Sequence, residues 1–301
     1  MKAHLALLTA SVAVVANADP WATRYAECGT LRVTNLASAP FPHPQRAEGH
    51  RYKDKVYPAE PHYRDSTVAI FIPKGLRVGR TVDFVVHFHG WNNHVESVLG
   101  QFKLIEQLAE SRRNAVLVVP QGPRDAPDSF GGKLEDRDGF QRFMTDVLAA
   151  LKADPRFAEA KLGRIILSGH SGGYHGIAFI LARGGLAEHV KEVWLFDALY
   201  GQTEKFAAWL GNSQGRLAAI YTDGGGTKAE TEKWMTDLRV KGTALLAGND
   251  REAKAAELRR NRLVFLHTDL GHDDVLAQRR TFRTFLETSC LEPIGAGQTW
   301  K

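Results

Sequence analysis

The sequence predicts an α/β domain: a mostly parallel central sheet with helices on both faces. Three observations carry this. From about Ser66 onward, apolar, strand-like runs alternate with segments of helical periodicity, the signature of βαβ units. The loops that follow the runs are polar or glycine-rich, at the carboxyl ends where such sheets bind ligands. No repeat, low-complexity tract or linker divides the 301 residues, and that length suits one large domain.

The elements read in order as follows. Met1 to Ala18 has the three parts of a secretory signal peptide: Lys2, the apolar stretch Leu5 to Val15, and the cleavage site Ala16-Asn17-Ala18. The alternative is an ordinary N-terminal core helix. No cysteine follows the cleavage site, so a lipid anchor is not expected, and no other segment is apolar enough to span a bilayer. The expected mature chain is a single domain, 19–301, secreted or periplasmic, with an irregular extension over about 19–65. Pro, His and Tyr crowd its Phe41 to Tyr63 part. Strands are expected at Thr67 to Ile72, Thr81 to Phe88, Ala115 to Val119, Arg164 to Leu167, Glu192 to Phe196, Leu217 to Tyr221 and Leu263 to Leu266. Helices are expected at Val95 to Glu110, Phe140 to Leu151, Tyr174 to Leu181, Lys228 to Leu238, Arg251 to Arg260 and Asp274 to Leu286.

The net charge of +5 falls to about +4 without Lys2. Basic pairs such as Arg112-Arg113 and Arg279-Arg280 are scattered among acids. No aromatic-interleaved basic stripe appears, which argues against nucleic-acid binding. Cys28 and Cys290 lie near opposite ends. In an oxidising compartment they are candidates for a disulfide joining the termini; the alternative is two separate thiols.

The chemistry centres on Gly169-His170-Ser171-Gly172-Gly173, directly after Ile165-Ile166-Leu167. This matches the G-x-S-x-G nucleophile-elbow pattern, in which a strand delivers a serine to a sharp turn and a helix leaves at once. In a chain with 28 Gly the pentapeptide is weak evidence alone, so its context decides. A serine hydroxyl needs an adjacent base, and the base an orienting acid. His272, just after the last strand, is the base candidate. Asp197 ends the strand after the elbow unit, Asp223 the next strand, and Asp250 follows Ala247-Gly248-Asn249. They are favoured in that order, and each could instead be a turn or cap residue. Oxyanion donors are expected from the N–H groups of Gly172 and of Trp91, in the loop His89-Gly90-Trp91. Trp91, Tyr174 and Tyr200 suggest an aromatic mouth. His87 and His89 read as a hydrogen-bonded brace for that loop.

With the elbow, the His89-Gly90 loop and His272 in this order, the chain resembles an α/β-hydrolase-fold serine hydrolase of the esterase and lipase kind, over about Thr67 to Leu286. The resemblance implies Ser171 as nucleophile, His272 as base, the Gly172 and Trp91 amides as oxyanion hole, and no cofactor. Most members place the acid after the penultimate strand, which points to Asp223; a minority place it one strand earlier, which points to Asp197. The implied reaction is hydrolysis of an ester or amide in a small molecule or polymer.

Two other readings compete. His87, His89 and His94 could form a metal site for a metal-dependent hydrolase, with His170 and His175 nearby; a His-x-His on a strand is a metal-ligand spacing. No carboxylate falls at matching spacing, and Ser171 would then have no task. A non-catalytic secreted binding module on a hydrolase scaffold is the third reading, opposed by the presence of every candidate catalytic residue.

Overall fold

The computed structural model describes residues 23–295; the expected signal segment lies outside them. The strands are β1 (Gly29–Asn35), β2 (His50–Tyr52), β3 (Lys55–Tyr57), β4 (Thr67–Pro73), β5 (Thr81–Phe88), β6 (Val116–Pro120), β7 (Lys161–His170), β8 (Val190–Phe196), β9 (Arg216–Thr222), β10 (Leu246–Asn249) and β11 (Leu263–Thr268). Nine of them form one sheet in the order β1-β4-β6-β5-β7-β8-β9-β11-β10. β4 runs antiparallel to β1 and β6, and the other pairings are parallel. The expected mostly parallel sheet is therefore present, with one reversed strand near an edge.

Side-chain alternation divides the core into two layers. Phe84, Val86, Ile165, Leu167, Val193 and Leu195 face one layer, while Val85, Ile166, Trp194 and Phe196 face the other. The first is closed by helices Gly139–Leu151, Tyr174–Arg183, Thr203–Asn212 and Lys228–Val240. The second is closed by Val95–Gln101, Leu104–Ser111, Ala255–Arg260 and Thr281–Glu287. Helix Gly139–Leu151 shows why: Phe140, Phe143, Met144, Val147 and Leu151 recur at three- and four-residue spacing and are all buried, one apolar stripe against the sheet.

Several boundaries differ from expectation. The helix expected over Val95 to Glu110 is two helices, because Lys103 takes a left-handed conformation (φ 49°). The buried spacing Val98, Leu99, Phe102, Ile105, Leu108 continues across the break, so periodicity alone does not reveal it. Only Ala255–Arg260 and Thr281–Glu287 of the last two expected helices form. Residues 274–280 are turns ending at Arg280, which is also left-handed. The extension is more ordered than expected: β1 pairs with β4 over its whole length, and β2 and β3 form a hairpin.

The disulfide is not present; both cysteines are free thiols. Cys28 precedes β1, whereas the Cys290 N–H donates to Glu192 of β8 at 2.6 Å. Five strand spacings separate β1 from β8, roughly 24 Å, against the limit of about 7 Å between bridged Cα atoms. Burial and the Glu192 carboxylate push the Cys290 thiol up to about 12.

Glu192 also accepts from Arg216 at 2.6 Å and from the Trp194 indole at 2.9 Å. It is 2% exposed and Arg216 is 9% exposed. Removing one member of a buried ion pair leaves the other charge uncompensated. Glu192→Ala should therefore lower stability by about 3–5 kcal/mol in chemical denaturation; a loss under about 1 kcal/mol would show that water reaches Arg216 and relieves it.

Candidate active site

β7 ends at His170 and the chain turns at Ser171, which has φ 52°. A non-glycine residue is strained there. Helix Tyr174–Arg183 leaves directly. Packing is tight enough that a Cβ on Gly173 would lie 2.5 Å from the Phe88 carbonyl oxygen. The loop after β5 crosses equally closely: a Cβ on Gly90 would lie 2.5 Å from the Ser171 Cβ and 3.1 Å from its Oγ. Trp91 follows that close approach, and its indole donates to Ser129 Oγ at 2.7 Å.

Asp197 sits at the end of β8 with φ 44° and is fully buried. His272 Nδ1 lies 2.6 Å from its Oδ2. A carboxylate only accepts, so Nδ1 carries the proton and His272 Nε2 is left with the lone pair. Thr222 donates to the same carboxylate through Oγ1 at 2.7 Å and through its N–H at 3.2 Å, and Thr227 Oγ1 donates as well. Burial alone would raise the Asp197 pKa; the bonds from His272, Thr227 and Thr222 outweigh it and hold the carboxyl below its usual range. Neither threonine stands out in the sequence. Their one signal is that each lies in the strand-end segment Thr222 to Thr227.

The other candidate acids lie elsewhere. The Asp223 side chain is 60% exposed and bonds Lys228 at 2.6 Å and His267 at 3.1 Å. Asp250 pairs with Arg279 at 2.8 Å. Of the three, the structure brings only Asp197 to His272.

The histidines of the metal reading are each committed separately. His87 Nδ1 lies 2.9 Å from Ser168 Oγ. His89 bonds the Gly90 carbonyl through Nδ1 at 2.8 Å and accepts the Gly122 N–H through Nε2 at 2.9 Å. His94 pairs with Asp125 at 2.8 Å. The expected His87–His89 brace is thus two braces, with His89 alone clamping the Gly90 loop to Gly122. Among the described residues, His170, His272 and Asp273 have possible ligand atoms within 4.8 Å of one another. There, however, His272 Nδ1 is taken by Asp197, and His170 Nε2 lies against the His272 carbonyl.

A cavity of about 230 Å³ opens on Ser171, lined also by Trp91, Ser129, Gly172, Tyr174 and Tyr200. The Tyr174 and Tyr200 rings lie 5.7 Å apart. Tyr200 donates to the Gly225 carbonyl at 2.5 Å, and its hydroxyl also meets Ser171. Burial, with the Asp197 carboxylate nearby, pushes that phenol up to about 12. From the hairpin, Tyr52 packs edge-on to Trp91 at 5.1 Å. Phe41 and Tyr63 pack with Ala126, and Arg46 binds Asp128 at 2.7 Å; together they pin the loop that supplies Ser129. A larger groove of about 1060 Å³ lies at the amino ends of the strands, among Arg77, Thr81, Arg164 and Lys191. It is remote from Ser171 and is an open surface groove.

Solved structures share this architecture. A feruloyl esterase module from Clostridium thermocellum, solved with sinapinate, matches at TM-score 0.53 and 10% identity, over 87% of this chain and 88% of that one. Fluorophosphonate-binding serine hydrolase F from Staphylococcus aureus, solved with substrate bound, matches at TM-score 0.52 and 10% identity, over 87% and 99%. The chain has the α/β-hydrolase fold. No protein-family model and no curated protein sequence matches it.

His89 and His170 are both buried, and burial lowers each pKa to about 4. Unfolded, each takes up a proton near pH 6.5. Between about pH 6.5 and 4 the unfolded chain then binds more protons than the folded one, so stability falls as pH falls. Calorimetry should show Tm dropping through that window; a Tm constant from pH 6.5 to 4.5 would contradict the buried, neutral state of both rings.

Proposed function

We propose that this chain is a secreted serine hydrolase that cleaves a carboxylic ester, or an amide, through an acyl-enzyme on Ser171. The observation that carries the reading is the 2.6 Å bond from His272 Nδ1 to the buried Asp197 carboxylate, beside a serine held at a strained strand-to-helix turn. The shared fold of a feruloyl esterase and a serine hydrolase supports it. Secretion rests on the signal pattern of residues 1–18.

In this scheme Ser171 Oγ attacks the substrate carbonyl carbon while His272 Nε2 takes its proton. Asp197 fixes the tautomer and stabilises the imidazolium. The N–H groups of Gly172 and Trp91 receive the developing oxyanion. The tetrahedral species collapses, the C–O bond breaks, and His272 returns the proton to the departing alcohol. Water, deprotonated by His272, then attacks the acyl-enzyme and frees the acid and Ser171. The cavity of about 230 Å³ with aromatic walls lies below the roughly 300–1,000 Å³ of drug-sized pockets. It suits a compact or aromatic acyl group such as the acid in the feruloyl esterase structure, and not a long lipid chain.

Kinetics on acetyl, butyryl, aryl and palmitoyl esters test this. Ser171→Ala and His272→Ala should each lower kcat by at least about 10³. Asp197→Asn should lower it by about 10⁴, with Asp223→Asn near wild type. Short and aryl esters should outrun palmitoyl. Near-normal turnover in Ser171→Ala would overturn the assignment.

A further inference from the structure

His170 has no part in the chemistry above, yet it touches the proposed base. It is the last residue of β7, immediately before Ser171, and only 2% exposed. Its Nε2 lies 2.9 Å from the main-chain carbonyl oxygen of His272. A carbonyl only accepts, so Nε2–H is the donor. The imidazole also packs against the His272 ring, tilted by 36° at 4.6 Å, and Phe102 packs edge-on at 4.8 Å. Nδ1 is buried with no partner among the described residues. An unsatisfied buried nitrogen costs stability. An apolar ring would fill the same space without it, so what the imidazole adds is the single bond to His272.

That bond matters because, among the described residues, it is the long-range tie to the main chain of 271–273. Asp197 holds the His272 side chain, and the segment's flank is anchored by Gln107 at the Leu276 carbonyl and by Arg279 at Asp250 and Thr268. Gly271 and Asp273 are exposed, and the nearby ties are the short-range bonds Leu270 N–H to Thr268 Oγ1 and Asp274 N–H to the Gly271 carbonyl. We propose that His170 is a positioning residue: its Nε2–H grips the His272 main chain, so that nucleophile and base are both referenced to the end of β7. The proposal rests on the serine-hydrolase reading. Burial, then repulsion from His272, keeps the ring neutral down to about pH 4, so the donor persists where esters would be turned over.

Two substitutions separate positioning from filling. His170→Phe keeps the ring volume and removes both the donor and the unsatisfied nitrogen. His170→Gln places an amide N–H near the Nε2 position. Steady-state kinetics would be read with the downfield proton resonance of the short His272–Asp197 bond. In His170→Phe, kcat should fall about 10- to 100-fold with KM within about twofold, and the resonance should broaden or vanish. In His170→Gln, most of kcat and the resonance should return. Wild-type kcat and resonance in His170→Phe, or equal loss in both variants, would overturn the proposal. The resonance is read on resting protein. A wild type without esterase activity would therefore refute the hydrolase reading, while the resonance still reports whether His170 holds His272.

Discussion

The arrangement depends on one buried carboxylate. Asp197 is wholly removed from water, and an ion placed there costs several kcal/mol unless donors replace its hydration. Four do: His272, two groups of Thr222, and Thr227. They come from the end of β9, the turn after it, and the loop after β11. β8, β9 and β11 are neighbours in that order, so parallel pairing alone brings the three strand ends together. The carboxylate makes their register matter, because a shift would leave a buried charge unsatisfied. His272 is the donor among them that is also partly exposed, and so the group that settles the ion is the one assigned to proton transfer in the proposed reaction.

The second constraint is the turn at Ser171. Its left-handed backbone costs on the order of 1–3 kcal/mol and persists because the surroundings leave no alternative. β7 is flanked by β5 and β8, the departing helix buries Ile177, Ala178, Ile180 and Leu181, and Gly90 lies against the serine. The extension braces the lining from behind. β1 extends the sheet, Tyr52 leans on Trp91, and Arg46 with Phe41 secures the segment that brings Ser129 to the cavity. A part of the chain with little apparent order in its composition thereby backs the residues that line the cavity.

The central strands were legible because each is a short apolar run, covered on both faces, that ends in polar or glycine residues. β1 and β10 lie at the sheet edges; Gly29–Asn35 mixes polar with apolar residues and Leu246–Asn249 has only four residues, so neither resembles a core strand. The break at Lys103 was invisible because the apolar spacing runs through it. At the site, Ser171, His272 and Asp197 drew attention because each follows a strand end. Choosing between Asp197 and Asp223 needed tertiary information: both end apolar strands, but one is buried under two threonines and the other faces solvent beside Lys228. The bonds of His170, Thr222 and Thr227 span distances in sequence that no local pattern encodes. The cysteines failed as a pair for the same reason, since proximity to the two chain ends says nothing of position across a sheet.

The proposed reaction requires that Ser171 be activated at this turn and carry the acyl group. Treating the folded protein with a fluorophosphonate and measuring its intact mass, followed by peptide mapping, tests it most directly. One adduct per chain is expected on the peptide containing Ser171, with none on Ser171→Ala and slow labelling of His272→Ala. An unlabelled wild type, or an adduct that persists in Ser171→Ala, would contradict it.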